Sequence, residues 1–198
     1  MKHVSALFLT LLAASTLNAQ DNKFGFQATV SRPAGDVGDS DLMDGRLGYG
    51  LGLHGLIVLG GGVAIVPRID YIAYKRDWTR NAVINEDEKV NILSGGADFH
   101  YYFGGEANQG FYVLGGVGYA SGKFESTYSS NGLVLSASAT KGAIYLQGGA
   151  GVQFNPNIGV ECSYQTLTFS DVETTYLGYT SRRDVSSPSL RASLVLHF

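Results

Sequence analysis

Six ionisable side chains stand at positions that share one face of an alternating pattern: Arg68, Asp70, Asp98, His100, Glu161 and Arg191. Opposite charges fall on neighbouring stretches, with Arg68 and Asp70 beside Asp98 and His100, and Glu161 beside Arg191. On a solvated surface such charges would be unremarkable. Inside a closed interior an unpaired charge is costly, so pairing is expected. The spacing therefore predicts one or two ion-pair networks with a structural role, in which Glu161 is a candidate partner for Arg191. A gated ion path is the other use such a set allows.

Two further groups could bind ions. Asp36, Asp39, Asp41 and Asp44 lie within nine residues, and clustered carboxylates can hold Ca²⁺. The order Asp39-Ser40-Asp41-Leu42-Met43-Asp44-Gly45 departs from a calcium loop, however, and no distal Glu closes it. A solvated acidic segment is the expectation, with no metal and no cofactor. Lys75, Arg76 and Arg80, and Arg182 with Arg183, could meet phosphates of a membrane surface. Trp78, Tyr128, Tyr176 and Tyr179 could form a contact surface for an external ligand.

Stepwise alternation positions these residues. In a strand, successive side chains point to opposite faces. Leu190, Ala192, Leu194, Leu196 and Phe198 alternate with Arg191, Ser193, Val195 and His197. The same pattern runs through Phe24–Val30, Tyr49–Ile57, Val63–Ala73, Leu93–Phe103, Phe111–Tyr119, Ile144–Phe154 and Ile158–Thr166. That makes eight strands of about ten residues, the length a tilted strand needs to cross a bilayer. Tight turns at 59–62, 104–110 and 155–157 alternate with long polar loops at 31–48, 76–90, 120–142 and 167–187. Within the third of these, Leu133-x-Leu135-x-Ala137-x-Ala139 suggests strands that run on beyond the membrane, with edges suited to β-augmentation.

Composition agrees with an all-β chain. Gly numbers 27 and Tyr 12, against four Pro and one Trp. The most apolar run, 47–66, is interrupted by glycines unsuited to a helix interior. Cys162 is alone, so no intramolecular disulfide can form. The formal net charge of −3 argues against a nucleic-acid partner, which would want a basic face. Lys2 and His3, the apolar stretch from Val4 to Ala14 and the small Ala19 read as a signal peptide over 1–19, leaving one barrel domain over 20–198.

Period two alone does not say which face is wet. Two features favour an apolar outside. The charged set lies on the less apolar face, where a narrow barrel has its lumen. Aromatics also fall in two bands on the apolar face: Phe24, Phe103, Phe111, Phe154 and Phe198 toward the turns, and Tyr49, Tyr71, Tyr119 and Tyr164 toward the loops. Girdles of this kind mark membrane interfaces.

With these features the chain resembles the small eight-stranded outer-membrane proteins, the OmpA/OmpX-type barrels grouped with opacity-type proteins. The resemblance spans about Phe24 to Phe198 and is most specific in Leu190-x-Ala192-x-Leu194-x-Leu196-x-Phe198. It implies an eight-stranded antiparallel up-and-down transmembrane β-barrel in the cell outer membrane. It further implies that those five residues are the carboxyl-terminal signal read by the outer-membrane assembly machinery after periplasmic chaperone escort. The expected partners are outer-membrane lipid and lipopolysaccharide, the assembly machinery during biogenesis, and a surface ligand at the long loops. The protein is expected to be a monomer, and no appended peptidoglycan-binding domain is expected. An interior of this size is just filled by side chains, so the expected role is structural or surface-interacting, with the lumen plugged. A narrow or gated porin-like channel is the alternative. Barrels that modify lipids or cleave proteins imply a histidine near the loops beside Ser or an acid. The histidines here are His3, His54, His100 and His197, none of them in a long loop, so enzyme activity is not expected. An outer-membrane lipid-modifying enzyme is the second alternative.

Overall fold

The computed structural model describes residues 22–38, 43–81, 84–130, 133–176 and 179–198. The expected signal peptide, as well as Asp39 and Asp41, lies outside these residues. The strands are β1 (Lys23–Pro33), β2 (Gly48–Gly60), β3 (Val63–Asn81), β4 (Ile84–Tyr102), β5 (Gly110–Ser130), β6 (Leu133–Asn155), β7 (Ile158–Tyr176), β8 (Tyr179–Ser186) and β9 (Ser189–His197). A one-turn helix α1 (Gly35–Gly38) follows β1.

Each strand pairs antiparallel with its sequence neighbour from β1 through β7. β9 then pairs with both β7 and β1. The ring therefore closes through eight strands and has no edge at membrane level, which satisfies every backbone group where water is absent. β8 is the outer continuation of β9, interrupted at Ser187-Pro188, and it pairs only with the outer part of β7.

Alternation explains the two surfaces. Leu51, Leu53, Leu93, Val117, Ile144, Leu146, Leu190 and Leu194 are exposed on the outside, while the residues between them are buried. A water-soluble protein does not expose a continuous apolar belt of this kind. Phe24, Phe103, Phe111, Phe154 and Phe198 are exposed near the short turns, and Tyr49, Tyr71, Tyr119 and Tyr164 near the opposite rim. The tight turn after β2 is made by Gly60, Gly61 and Gly62, all at positive φ, a backbone region that residues with a Cβ seldom enter.

Most ring strands are longer than the expected ten residues. In the ring they run from 9 residues in β9 to 23 in β6. Three segments expected as long loops, 76–90, 120–142 and 167–187, are largely ladders: β3–β4 pair out to Asn81↔Ile84 and β5–β6 out to Ser130↔Leu133. Toward the outer ends of β5 and β6 most side chains are exposed or half-buried, so the period-two contrast fades while the backbone pairing persists; on β7 and β8, by contrast, Phe169, Val172 and Val185 stay buried on the inner face. Only the first loop keeps an irregular course, carrying α1.

A charged layer inside the barrel as the candidate functional site

Position 68 on β3 faces inward because Ile69 beside it belongs to the lipid-side register. Arg68 is 2% exposed. Its Nε donates to Asp70 Oδ2 at 3.0 Å, one terminal nitrogen reaches Asp98 Oδ2 at 2.5 Å and Glu161 Oε1 at 3.3 Å, and the other donates to Gln27 Oε1 at 2.8 Å. One guanidinium thus engages three carboxylates from three strands, β3, β4 and β7. Its planar fork of five donors suits that geometry, whereas a lysine ammonium would not span it.

Arg191, 1% exposed on β9, lies 3.3 Å from Asp70. Its carboxylate is therefore Asp70 across the lumen, not Glu161 on the neighbouring strand. The register accounts for the difference: Arg191 stands opposite Ser163, and Glu161 opposite Ser193, so the two point to different levels. His100 sits 4.0 Å from Asp98 and stacks on Tyr112, with ring centroids 4.8 Å apart. The structure thus brings all six of the sequence-derived residues into one connected layer.

Sequence reasoning missed the neutral members. Gln27 Nε2 donates to Asp70 at 2.5 Å, Gln147 Nε2 donates to Asp98 at 2.6 Å, and the Tyr112 hydroxyl donates to Glu161 at 3.3 Å. It also missed how room is made for them. Six large inward side chains stand beside glycine on an adjoining strand: Arg68 beside Gly96, Asp70 beside Gly52, Asp98 beside Gly116, Glu161 beside Gly151, and both His54 and His197 beside Gly25; Arg191 stands instead between Ser31 and Ser163. A Cβ on Gly52 would collide with Asp70, and one on Gly116 with Asp98. Small-beside-large packing is how a narrow barrel fills its taper. The signal was present as glycine recurring on the inward register, but pairing it with its charge requires the strand register.

Two further layers flank the charges. On the turn side, Leu56, Ala64, Val66, Tyr102, Tyr112 and Leu114 pack together. His54 and His197 meet edge to face close by, 4.9 Å apart. On the outer side lies an apolar cluster that includes Ile72, Tyr74, Val90, Tyr145, Leu167 and Phe169, joined by Val37 and Met43 from the first loop. Both loop residues are fully buried. The loop is held down by Asp36, whose Oδ2 accepts from Ser186 N at 2.7 Å and from Ser186 Oγ at 3.0 Å. Asp36 is thus engaged with β8, and Asp44 follows at a left-handed backbone position. Among the described residues no three His, Cys, Asp or Glu side chains come together as a metal site.

Outside the membrane, Asp77 and Asp87 stand directly opposite on β3 and β4, with Lys75 and Lys89 as the next pair inward. The two carboxyls hydrogen-bond to each other. That bond and its neighbour's charge raise Asp87 above the ordinary aspartate range, while the bond from Asp87, and then Lys75, lower Asp77. As pH falls, Asp87 is expected to take up its proton first and share it with Asp77. Carboxyl-carbon NMR checks this: two separated titrations in the native protein, and an Asp87 midpoint that returns to the ordinary range in Asp77→Asn. Superposed titrations in the native protein would refute the shared proton.

The family described as outer membrane protein beta-barrel domain matches residues 4–198. No curated protein matches the sequence. Among solved structures, the chain is similar to the attachment invasion locus protein Ail of Yersinia pestis, at 18% identity over 89% of this chain and 97% of that one, with a TM-score of 0.54. It is similar to a major outer membrane protein of Thermus thermophilus, at 14% identity over 89% and 99%, with a TM-score of 0.53. It is also similar to the N-terminal β-barrel domain of Pseudomonas aeruginosa OprF, at 13% identity over 90% and 98%, with a TM-score of 0.52. At these identities the likeness to the three structures is one of fold.

Proposed function

The chain belongs to the outer membrane protein beta-barrel domain family and resides in the cell outer membrane; from that premise we propose that it is a closed, non-conducting barrel with a structural role, whose outer strands form a surface for interaction. One observation carries this reading. The lumen is occupied in three successive layers, and its middle layer is Arg68 held by three carboxylates. A polar path through the middle would end outside against Val37, Met43 and Phe169.

Planar-bilayer recording tests the closed lumen. The native protein is expected to give no steady conductance. Asp36→Ala, which frees the first loop from Ser186, is expected to produce at most brief openings. Large, steady conductance from native monomers would overturn the reading and favour the channel alternative.

An enzymatic role is not part of the proposal. His54, His100 and His197 are buried in the lumen, far from the outer extensions where lipid chemistry would take place. We read the protein as a monomer, because the ring closes within one chain, with lipid and lipopolysaccharide against the apolar belt. Leu190, Ala192, Leu194, Leu196 and Phe198 we read as the segment recognised by the assembly machinery; Leu190, Leu194 and Phe198 are exposed on the lipid side.

Ail was solved in complex with the heparin analogue sucrose octasulfate. We do not carry a polyanionic ligand over to this chain, because its four outer segments hold more Asp and Glu than Lys and Arg. The outer surface is better suited to a polypeptide.

A further inference from the structure

Toward the outer end of the lumen the polar layer gives way to an apolar one within a single step along the strand. Inward-facing Asp70 is followed by Ile72 and Tyr74, and Gln165 by Leu167 and Phe169. With Val90 these residues wall a cup that the chain fills itself. Val37 and Met43, both fully buried, are packed into it from the first loop. The loop is fastened to the rim through Asp36 to Ser186, and through Ala34 N, which donates to Pro188 O at 2.8 Å.

The floor of this cup carries donors without acceptors. Arg191 is 1% exposed, yet none of its three side-chain nitrogens has a hydrogen-bond partner among the described residues. Its contact with Asp70 at 3.3 Å is a glancing one, because both oxygens of Asp70 already accept, from Arg68 at 3.0 Å and from Gln27 at 2.5 Å. Gln165 stands diagonal to Arg191 on the neighbouring strand, since Ser163 pairs with Arg191 and Gln165 with Ser189. Its Nε2 lacks a partner too, as does the Tyr145 hydroxyl. That hydroxyl reaches back over Gly96, opposite Arg68, where an added Cβ would collide with it. All three side chains are buried. Buried donors left without acceptors are costly, and a guanidinium fork matches a carboxylate through two parallel bonds.

We propose that the outer cup binds an unbranched aliphatic monocarboxylate, with its head on Arg191, Gln165 and Tyr145 and its chain in the space that Val37 and Met43 fill, the first loop lifting as it enters. A head that only accepts answers a floor whose unpartnered nitrogens all donate. A hydrocarbon chain answers the walls, since Val37 and Met43 show that the space takes apolar groups. From Gln165 to Phe169 the wall covers about 13 Å at roughly 3.3 Å per residue, which suits a chain of medium length. The Arg68 layer stays closed beneath, so the ligand is held and not passed through. The proposal goes beyond the structural and surface roles proposed above and does not depend on them.

The test uses the full chain in lipid nanodiscs with ¹³C-labelled methionine methyls. Met43 is the one methionine outside the expected signal peptide, so its methyl reports the first loop alone. Decanoate is expected to shift that signal saturably and to bring the methyl into contact with water. Decanol at equal membrane loading is expected to bind about tenfold or more weakly, the scale of a charge-assisted hydrogen bond. Arg191→Gln, checked for folding by gel mobility, is expected to bring decanoate down to the level of decanol. Gln165→Leu, which leaves every charge in place, is expected to weaken decanoate several-fold and to leave decanol unchanged. Asp36→Ala, which loosens the loop without touching the floor, is expected to tighten both. Equal binding of decanol and decanoate by the native protein, or a Met43 signal that does not move at saturating decanoate, would overturn the proposal and leave water as the partner of these donors. So would folded Arg191→Gln or Gln165→Leu protein that keeps the native preference for decanoate, or weaker binding in Asp36→Ala. A conducting barrel that still binds decanoate would sink the closed-lumen reading alone.

Discussion

Arg68→Met is expected to be the most damaging single substitution in the lumen, destabilising the barrel by about 3–5 kcal/mol, the range found when one member of a buried ion-pair network is removed. Asp70 would retain Arg191 at 3.3 Å and Gln27 at 2.5 Å. Asp98 would keep Gln147 at 2.6 Å, and Glu161 only the Tyr112 hydroxyl at 3.3 Å. Two carboxylates would thus be buried with neutral partners, or at most a histidine, nearby. The measurement is the urea midpoint for loss of the compact, gel-resistant form in lipid vesicles. Much of the loss reflects stranded charge rather than the intrinsic worth of the network. Arg68→Met combined with Asp98→Asn and Glu161→Gln is therefore expected to recover most of the stability. If the single variant is within about 1 kcal/mol of native, water reaches the layer freely and the filled-lumen reading fails. Arg68→Lys is expected to fall in between, since an ammonium cannot face three carboxylates and Gln27 at once.

The second large effect concerns the outside. Leu53 is 65% exposed and stands between Phe26 on β1 and Ile69 on β3, roughly midway between the two aromatic bands. Leu53→Arg is expected to cost about 2–4 kcal/mol in a bilayer, the penalty for a cation near the midplane, while Tyr49→Arg at the rim is expected to cost about 0–1 kcal/mol. The comparison is made by urea titration in vesicles of fixed lipid composition. In a barrel facing water both substitutions would be near neutral. Equal costs at 53 and 49 would contradict the placement of the apolar belt across the hydrocarbon layer.

These two predictions draw on different kinds of information. The lipid face was legible along the chain, because period-two alternation is a local property. Each Leu, Val or aromatic declares its face through its immediate neighbours, and the banding of Phe and Tyr follows from counting along each strand. The number of ring strands and the short turns followed from the same pattern. Where side chains on both faces are exposed or half-buried the contrast weakens, so most of the outer ladders of β3 through β7 read as loops, with Leu133 to Ala139 the stretch that still shows alternation. Polarity reports the solvent there and says nothing about the backbone.

The sequence by itself determined the all-β class, the strand count, the outward residues and the six ionisable side chains on the inward face. Only the tertiary structure decided who meets whom. Arg191 reaches Asp70 rather than Glu161, Arg68 gathers carboxylates from three strands, and Arg68, Asp70, Asp98 and Glu161 each lie beside a glycine on an adjoining strand. Those relations depend on register and on closure of β9 against β1, which bring together residues as distant as Thr29 and Ser193. The pairing of β6 with β7 ends at Tyr145↔Leu167: the alternation of Leu133, Leu135, Ala137 and Ala139 points to a strand beyond the membrane, but where its neighbour leaves it only the register decides.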